Sequence, residues 1–372
     1  GEDAAFDAAL DAAKDSSILK PEVSVPDLLV SDGPSPDTTK PLKGIKLPAG
    51  RAAWGLAYVS GFLWIGHNDA KTKTDYKVSR IDTMRGDHLG SAGNDWIRTP
   101  HMDALAADGV VFTRCFSTAP WTLPSFASIF TGKLPSRHGA IGHDYERLGD
   151  DHYTLAEYFD VAGYRTHGYV SISYLTPRFG MGQGFNGQTP PGLDGDLDRA
   201  SRITWLGLET LRTHDLRQPL FMFLHYFDVH APYTPPTPYS GMYYEGDPKA
   251  PGEPVLDFLT SDANDARNRD SGMYDWLDGV TDLDFGVKEY AAGVTYVDDH
   301  VGQVVADLKR RGLYDDMMIV LVSDHGEHLG EHDLWFTHAE PYQECLHVPL
   351  MIKFPKGYFA GTVVDAPVST MD

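Results

Sequence analysis

Two stretches of this chain read as buried strands, and each runs straight into a cluster of acidic and imidazole side chains. Residues 220–225 are strongly apolar and lead into Phe227-Asp228-Val229-His230-Ala231-Pro232-Tyr233. Residues 317–322 lead into Ser323-Asp324-His325-Gly326-Glu327. Near-continuous apolar runs of this length are the mark of strands covered on both faces, as in a parallel sheet. The rest of the pattern agrees. Residues 76–82 form a third strand with Asp82 at its end, interrupted by Lys77, Ser79 and Arg80 and therefore poor as a buried parallel strand. Thr99-Pro100 opens a helix through Met102, Leu105 and Ala106 that Gly109 ends. Strands at 110–116, 164–170 and 348–354 alternate with helices at 155–162 and 290–311, the last capped by Gly312. Alternation of this kind predicts an α/β fold, a mostly parallel central sheet sandwiched by helices. Ligands of open α/β sheets sit past the C-terminal strand ends. Asp82, Asp228, His230, Asp324 and His325 all gather there.

A second constraint comes from the run Ala119 to Gly139. Thr122 precedes Pro124, which is tolerated in the first turn of a helix, and Ser125 to Phe130 can continue one. Thr is a good N-cap. Thr122 is therefore expected at a helix N-terminus, beside open N–H groups and the positive end of the helix dipole, where an anion or alkoxide is favoured.

Composition limits the partners. Acidic residues number 53 against 31 basic ones, a formal net charge of −22. Such a surface repels nucleic acid and anionic lipid, so an anionic substrate needs a local positive site such as a metal. No run approaches about 18 apolar residues, so no membrane span is expected. Cys115 and Cys345 are either two buried thiols or one disulfide. Residues 1–50, rich in Asp, Ala, Pro and Ser, read as an acidic tail or linker. The chain starts at Gly1 without an apolar signal segment, which is expected of a processed chain or a fragment. Residues 54–65 are apolar and receive no assignment. Residues 239–284 read as an insertion at the site mouth that tunes substrate choice and not stability. Asp262, Asp265 and Asp270 within it lack calcium-loop spacing and read as a solvated acidic loop.

Asp82, Asp324, His325 and Thr122 combine two carboxylates, an imidazole and a hydroxyl into a site for a divalent cation. Taken singly, the two aspartates could cap helices and His325 could be a core histidine. Together they mark a chain that resembles the sulfatase family of the alkaline phosphatase superfamily. The resemblance runs from Asp82 to Asp372. It rests on Asp82-Thr83-Met84-Arg85-Gly86-Asp87-His88-Leu89-Gly90, Thr99-Pro100-His101-Met102-Asp103, Pro120-Trp121-Thr122-Leu123-Pro124-Ser125 with Thr131-Gly132, the Asp228 and Asp324 segments, Tyr296-Val297-Asp298-Asp299 and Val348-Pro349-Leu350. It implies a catalytic domain over 76–372 and a smaller C-terminal subdomain that would begin where this chain stops, so the subdomain looks truncated.

The resemblance also has departures. Formylglycine sulfatases carry Cys or Ser in a C/S-x-P-x-R motif, whereas here Thr122 holds the nucleophile position and Phe126 the Arg position. The family's Lys-x-His falls near Ser171-Ile172-Ser173. The first Asp of the usual Asp-Asp pair is Ile81, and the usual Asp-Asn pair is Asp324-His325. No formylglycine is expected. The pattern is closer to the superfamily's phosphodiesterases and phosphoglycerol transferases, which implies Zn²⁺ or Mn²⁺ in preference to Ca²⁺. Thr122 is then nucleophile and metal ligand with Asp82, Asp324 and His325, and His230 protonates the leaving group or holds a substrate oxygen. Asp228, His230 and His338 are candidates for a second metal, for substrate binding or for a structural role. His225 and His138 read as structural, and Arg85 as the partner of a carboxylate under the site. The implied activity is hydrolysis or transfer at a small phosphate or sulfate ester, phosphoester preferred, with sulfate-ester hydrolysis, a non-catalytic binding domain or a scaffold as alternatives. A periplasmic or extracellular location rests on the resemblance alone.

Overall fold

The computed structural model describes residues 56–59, 62–65, 76–142, 146–189, 199–215, 217–259 and 273–372. The tail at 1–50 and the loop aspartates Asp262, Asp265 and Asp270 lie outside them.

Strand β7 (Leu220–Tyr226) explains the architecture, because every residue in it is buried. Leu220, Met222, Leu224 and Tyr226 enter one apolar layer, and Phe221 and Phe223 enter the other. A period-2 split of an all-apolar run is what a strand covered on both faces requires. On one face lie α1 (Pro100–Ala107), α4 (Ala200–Thr213) and the long α5 (Leu283–Arg310); on the other lie α2 (Thr122–Thr131) and α3 (Leu155–Val161).

Among the described residues the main sheet has nine strands. Its order is β12 (Thr362–Val364), β4 (Val110–Phe116), β11 (His347–Lys353), β8 (Met318–Ser323), β3 (Tyr76–Ile81), β7, β5 (Arg165–Tyr169) and β6 (Gly187–Thr189), with β13 (Val368–Ser369) also on β4. All pairings are parallel except those of β11, which runs antiparallel to β4 and β8. The sheet is thus mostly parallel and sandwiched by helices, as expected. Two short antiparallel pairs among the described residues are not part of it: β1 (Leu56–Val59) on β2 (Phe62–Ile65), within the unassigned residues 54–65, and β9 (His328–Leu329) on β10 (Trp335–Thr337).

Three expectations need correction. Strand β3, poor by composition, is a central strand paired over six residues with both β7 and β8. Neighbouring ladders override its weak local preference. Helix α5 starts at Leu283, seven residues before Tyr290, because the Asp282 side chain accepts the Asp284 N–H at its N-terminus. The insertion is not separate from the core. Val255, Leu259, Tyr274, Leu277 and Val280 are buried in the same cluster as Tyr226 and Tyr290. Trp276 packs edge-on against Tyr233 and Phe336.

That packing reverses the expectation for stability. Leu277 is fully buried, so Leu277→Ala should destabilise the fold by about 2–5 kcal/mol. Chemical denaturation measures this, and an unchanged midpoint would show that the segment contributes nothing to the core.

Candidate active site

Parallel strands end side by side, so the C-terminal ends of β3 and β8 bring Asp82 and Asp324 together. Both are fully buried. Helix α2 delivers Thr122 to the same edge, as its first residue. Trp121 with extended backbone is the N-cap, so Thr122 is at the helix N-terminus but one position inside the cap expected for it.

The geometry centres on one imidazole nitrogen. His325 Nε2 lies 3.5 Å from Asp82 Oδ1, 3.3 Å from Asp324 Oδ2 and 3.5 Å from Thr122 Oγ1. His325 Nδ1 is 3.0 Å from the Gly326 carbonyl oxygen. A carbonyl only accepts, so Nδ1 carries the proton and Nε2 presents a lone pair to the two carboxylates. Burial foremost holds the His325 pKa down at about 3, which keeps the ring neutral. Asp82 Oδ1 and Asp324 Oδ2 are buried and accept no hydrogen bond. Two unpaired carboxylate oxygens facing a nitrogen lone pair fit a divalent cation, and these three residues offer ligand atoms within 4.8 Å of one another.

The other faces of these ligands are pinned. Asp82 Oδ2 accepts from His225 Nε2 at 3.0 Å, and His225 Nδ1 accepts the Ser171 N–H at 3.3 Å. His225, expected to be structural, is therefore the group that orients a candidate ligand. Burial pushes the Asp82 pKa up, but the His225 hydrogen bond and the nearby imidazoles outweigh it and the net shift is downward. Asp324 goes the other way, raised well above the usual range by burial and then by the charge of Asp82.

The turn after Asp82 is strained. Thr83 has φ +54°, a left-handed conformation that costs a non-glycine residue about 1–3 kcal/mol. Its neighbours are captured one by one: Thr83 N–H by Asp324 Oδ1 (3.4 Å), Met84 N–H by Ser323 Oγ (2.9 Å) and Arg85 N–H by Tyr290 Oη (3.0 Å). Ser323 Oγ donates in turn to the His325 carbonyl at 2.7 Å. Arg85 forks onto Asp87 and reaches Glu331, so it pairs with carboxylates as expected.

The proposed second set is not brought together as one. Asp228 Oδ2 accepts the Ala200 N–H at 2.7 Å, at the start of α4. His230 and His338 do stand beside the site. Their rings are 4.9 Å apart, and His338 stacks on His325 at 4.5 Å. His338 Nδ1 faces Glu327 Oε1 at 3.2 Å, while Tyr233 Oη donates to Glu327 Oε2 at 2.9 Å. Burial lowers both imidazole pKa values; at His338 the Glu327 carboxylate outweighs it and the net shift is upward, whereas His230 stays low. Glu327, quoted in the motif but given no role, thus favours the protonated form of His338. Cys115 and Cys345 are free buried thiols. One further cluster, His101, Asp298 and Asp299, is accounted for by Asp298 accepting the N–H groups of His101 and Met102 at the start of α1.

The sulfatase family model matches residues 79–372. The chain belongs to the sulfatase family. It is 25% identical over 341 residues to an arylsulfatase of Clostridium perfringens, covering 78% of this chain and 70% of that one. It is also 25% identical over 372 residues to an N-acetylglucosamine-6-O-sulfatase of Bacteroides thetaiotaomicron, covering 78% and 65%. The chain spans about two thirds of the length of these curated relatives. In fold it is similar to a phosphonate monoester hydrolase of Agrobacterium radiobacter, with TM-score 0.64 and 21% identity over 80% of this chain and 72% of that one. Sulfatases generally bind a divalent metal. No described helix is long and apolar enough to cross a membrane.

The raised pKa of Asp324 gives a test with a definite sign. A group raised in the fold adds stability below its unfolded pKa and loses it as pH rises through the folded value. Metal-free protein at about pH 8 therefore carries a penalty at Asp324 that Asp324→Asn removes. Metal-free Asp324→Asn should melt at or above metal-free wild type. Zn²⁺ or Mn²⁺ should raise the melting temperature of wild type only. A cation that stabilises both proteins equally would place its site elsewhere.

Proposed function

We propose that the chain is the catalytic part of a divalent-metal-dependent hydrolase that cleaves a small anionic ester through Thr122, with phosphoesters preferred to sulfate esters. The observation that carries this reading is Thr122 Oγ1 at 3.5 Å from His325 Nε2, at a helix N-terminus beside the unpaired oxygens of Asp82 and Asp324. A divalent cation held by Asp82, Asp324 and His325, Zn²⁺ or Mn²⁺ in preference to Ca²⁺, would neutralise charge on a tetrahedral anion and lower the pKa of the Thr122 hydroxyl.

Thr122, its hydroxyl proton passed to solvent, attacks in line through Oγ1, the bond to the leaving oxygen breaks, and the group is carried as a Thr122 ester until water or an acceptor alcohol removes it. The open N–H groups in the first turn of α2 offer hydrogen bonds to that anion. His338 protonates the leaving oxygen. Its Nδ1–H faces the Glu327 carboxylate, which stabilises an imidazolium and leaves Nε2 to give up the proton. His230 Nδ1–H faces only the Ala231 carbonyl, at 2.6 Å, so its ring is neutral and better suited to holding a substrate oxygen.

The phosphoester preference follows from one hydroxyl. A formylglycine hydrate has a second hydroxyl that expels sulfate by reforming the aldehyde. Thr122 has none, so a second nucleophile must attack the bound group, which phosphorus accepts readily. The Arg position supports the same reading. Phe126 is fully buried among Phe130, Phe223 and His225 and brings no charge to an anion. Sulfate-ester hydrolysis is the second reading, favoured by the names of the two curated relatives. A periplasmic or extracellular location is part of this proposal and rests on the family alone.

Aryl phosphodiester, phosphate monoester and sulfate ester substrates, assayed with Zn²⁺ or Mn²⁺, separate these readings. Phosphoester turnover should exceed sulfate-ester turnover. Thr122→Val should lose about 10³-fold or more in kcat, as removal of an attacking group does, and Thr122→Ser should keep part of it. Mass spectrometry of peptide 121–133 should show unmodified Thr122, or Thr122 plus a phosphoryl group after trapping. Wild-type rates in Thr122→Val would remove the nucleophile assignment. A clear sulfate preference would establish the second reading, and no turnover with metal bound would leave a binding domain.

A further inference from the structure

We propose that Tyr290 is a positioning residue that holds Asp82 and Asp324 in metal-binding geometry by clamping the turn between them, an inference that rests on the metal reading above. The turn Asp82-Thr83-Met84-Arg85 cannot hold its shape through its own preferences. Thr83 is β-branched and sits at φ +54°, where L side chains with two groups on Cβ are rarely found. Its own hydroxyl gives nothing back, because Oγ1 is buried without a hydrogen-bond partner. The conformation persists only because surrounding groups impose it.

Tyr290 closes this turn from both ends with one atom. Its Oη accepts the Arg85 N–H at 3.0 Å and donates to the Thr83 carbonyl at 2.8 Å. The ring is fully buried on α5 and edge-packed against His88 and Tyr233, so the hydroxyl arrives on a rigid support. The consequence reaches both carboxylates. The peptide between Asp82 and Thr83 is planar, so a change in the path of the turn is passed back to the Asp82 backbone. The same plane aims the Thr83 N–H at Asp324 Oδ1. With the clamp gone, only the Asp324 and Ser323 contacts oppose relaxation of Thr83 toward negative φ. That rotation turns Asp82 and loosens the bond that leaves Asp324 Oδ2 facing His325.

A tyrosine that merely satisfies two backbone groups would affect stability and nothing else. Metal affinity distinguishes the two cases. Metal-stripped wild type, Tyr290→Phe, Tyr226→Phe and Tyr290→Phe/Thr83→Gly are titrated with Zn²⁺ or Mn²⁺ against a chromophoric chelator, with folding followed by circular dichroism. Tyr226 is the control, a buried tyrosine whose hydroxyl bonds Thr204 and not the turn. Tyr290→Phe should raise Kd about 10-fold or more, because the backbone that carries Asp82 and bonds Asp324 loses its support, an effect of the size seen when an outer partner of a ligand is lost. Tyr226→Phe should stay within about twofold, since its lost bond lies outside that outer shell. Adding Thr83→Gly to Tyr290→Phe should restore most of the affinity, because glycine adopts this φ without strain. If Tyr290→Phe alone does not fold, the double variant must still fold and bind metal within about tenfold of wild type. Equal Kd values for Tyr290→Phe and Tyr226→Phe, or no recovery in the double variant, would overturn the proposal. Failure of the metal reading gives a different result: wild type and Asp324→Ala would then bind metal equally weakly.

Discussion

Asp82 and Asp324 point one unpaired oxygen each at the lone pair of His325 Nε2, and all three side chains are fully buried. Burying charge without a partner costs several kcal/mol per ion even after relaxation. The arrangement therefore demands a positive species, either a cation shared by all three groups or a proton on one carboxylate. The hydrogen bonds around it bear on this choice. His225 holds the far oxygen of Asp82, Gly326 fixes the tautomer of His325, and Ser323 ties the turn after β3 to the turn after β8. Each leaves free the atom that faces the centre, which is the arrangement expected around a metal ligand.

The fold supplies this convergence cheaply because β3 and β8 are adjacent parallel strands, so both aspartates leave the sheet on the same edge. Helix α5 then contributes from behind. Gly293 lets it approach the Asp228 carbonyl, where a Cβ would come within 2.6 Å. That close approach seats the loop carrying His230 and brings Tyr290 under the turn. The insertion continues the same wall, with Trp276 packed edge-on against Phe336, so it is part of the core.

The sequence made the strand ends legible because β7 and β8 are covered on both faces and their apolar runs have no polar gap. It misjudged β3, whose central place comes from two neighbouring ladders and not from its composition. The start of α5 was hidden by Asp284 and Gly286, poor helix formers that the Asp282 cap and packing against Phe336 carry. Thr122 was placed at the right helix end but one position off, because residue type alone cannot separate the cap from the first helical residue. Asp228, left open between a metal, a substrate and a structural role, meets the backbone of α4. The roles of His225, Glu327 and Tyr290 depend on partners up to 207 residues away, and no local pattern encodes those contacts.

The central claim is that the Asp82, Asp324 and His325 set exists to hold a cation. Anomalous diffraction at the Zn or Mn edge, on crystals soaked in the corresponding ion, tests it most directly. The account predicts one strong peak at about 2.0–2.2 Å from Asp82 Oδ1, Asp324 Oδ2 and His325 Nε2. Absence of a peak there, with Asp324 Oδ2 closed from 3.3 Å to about 2.7 Å of His325 Nε2, would contradict it and show that a proton neutralises the site.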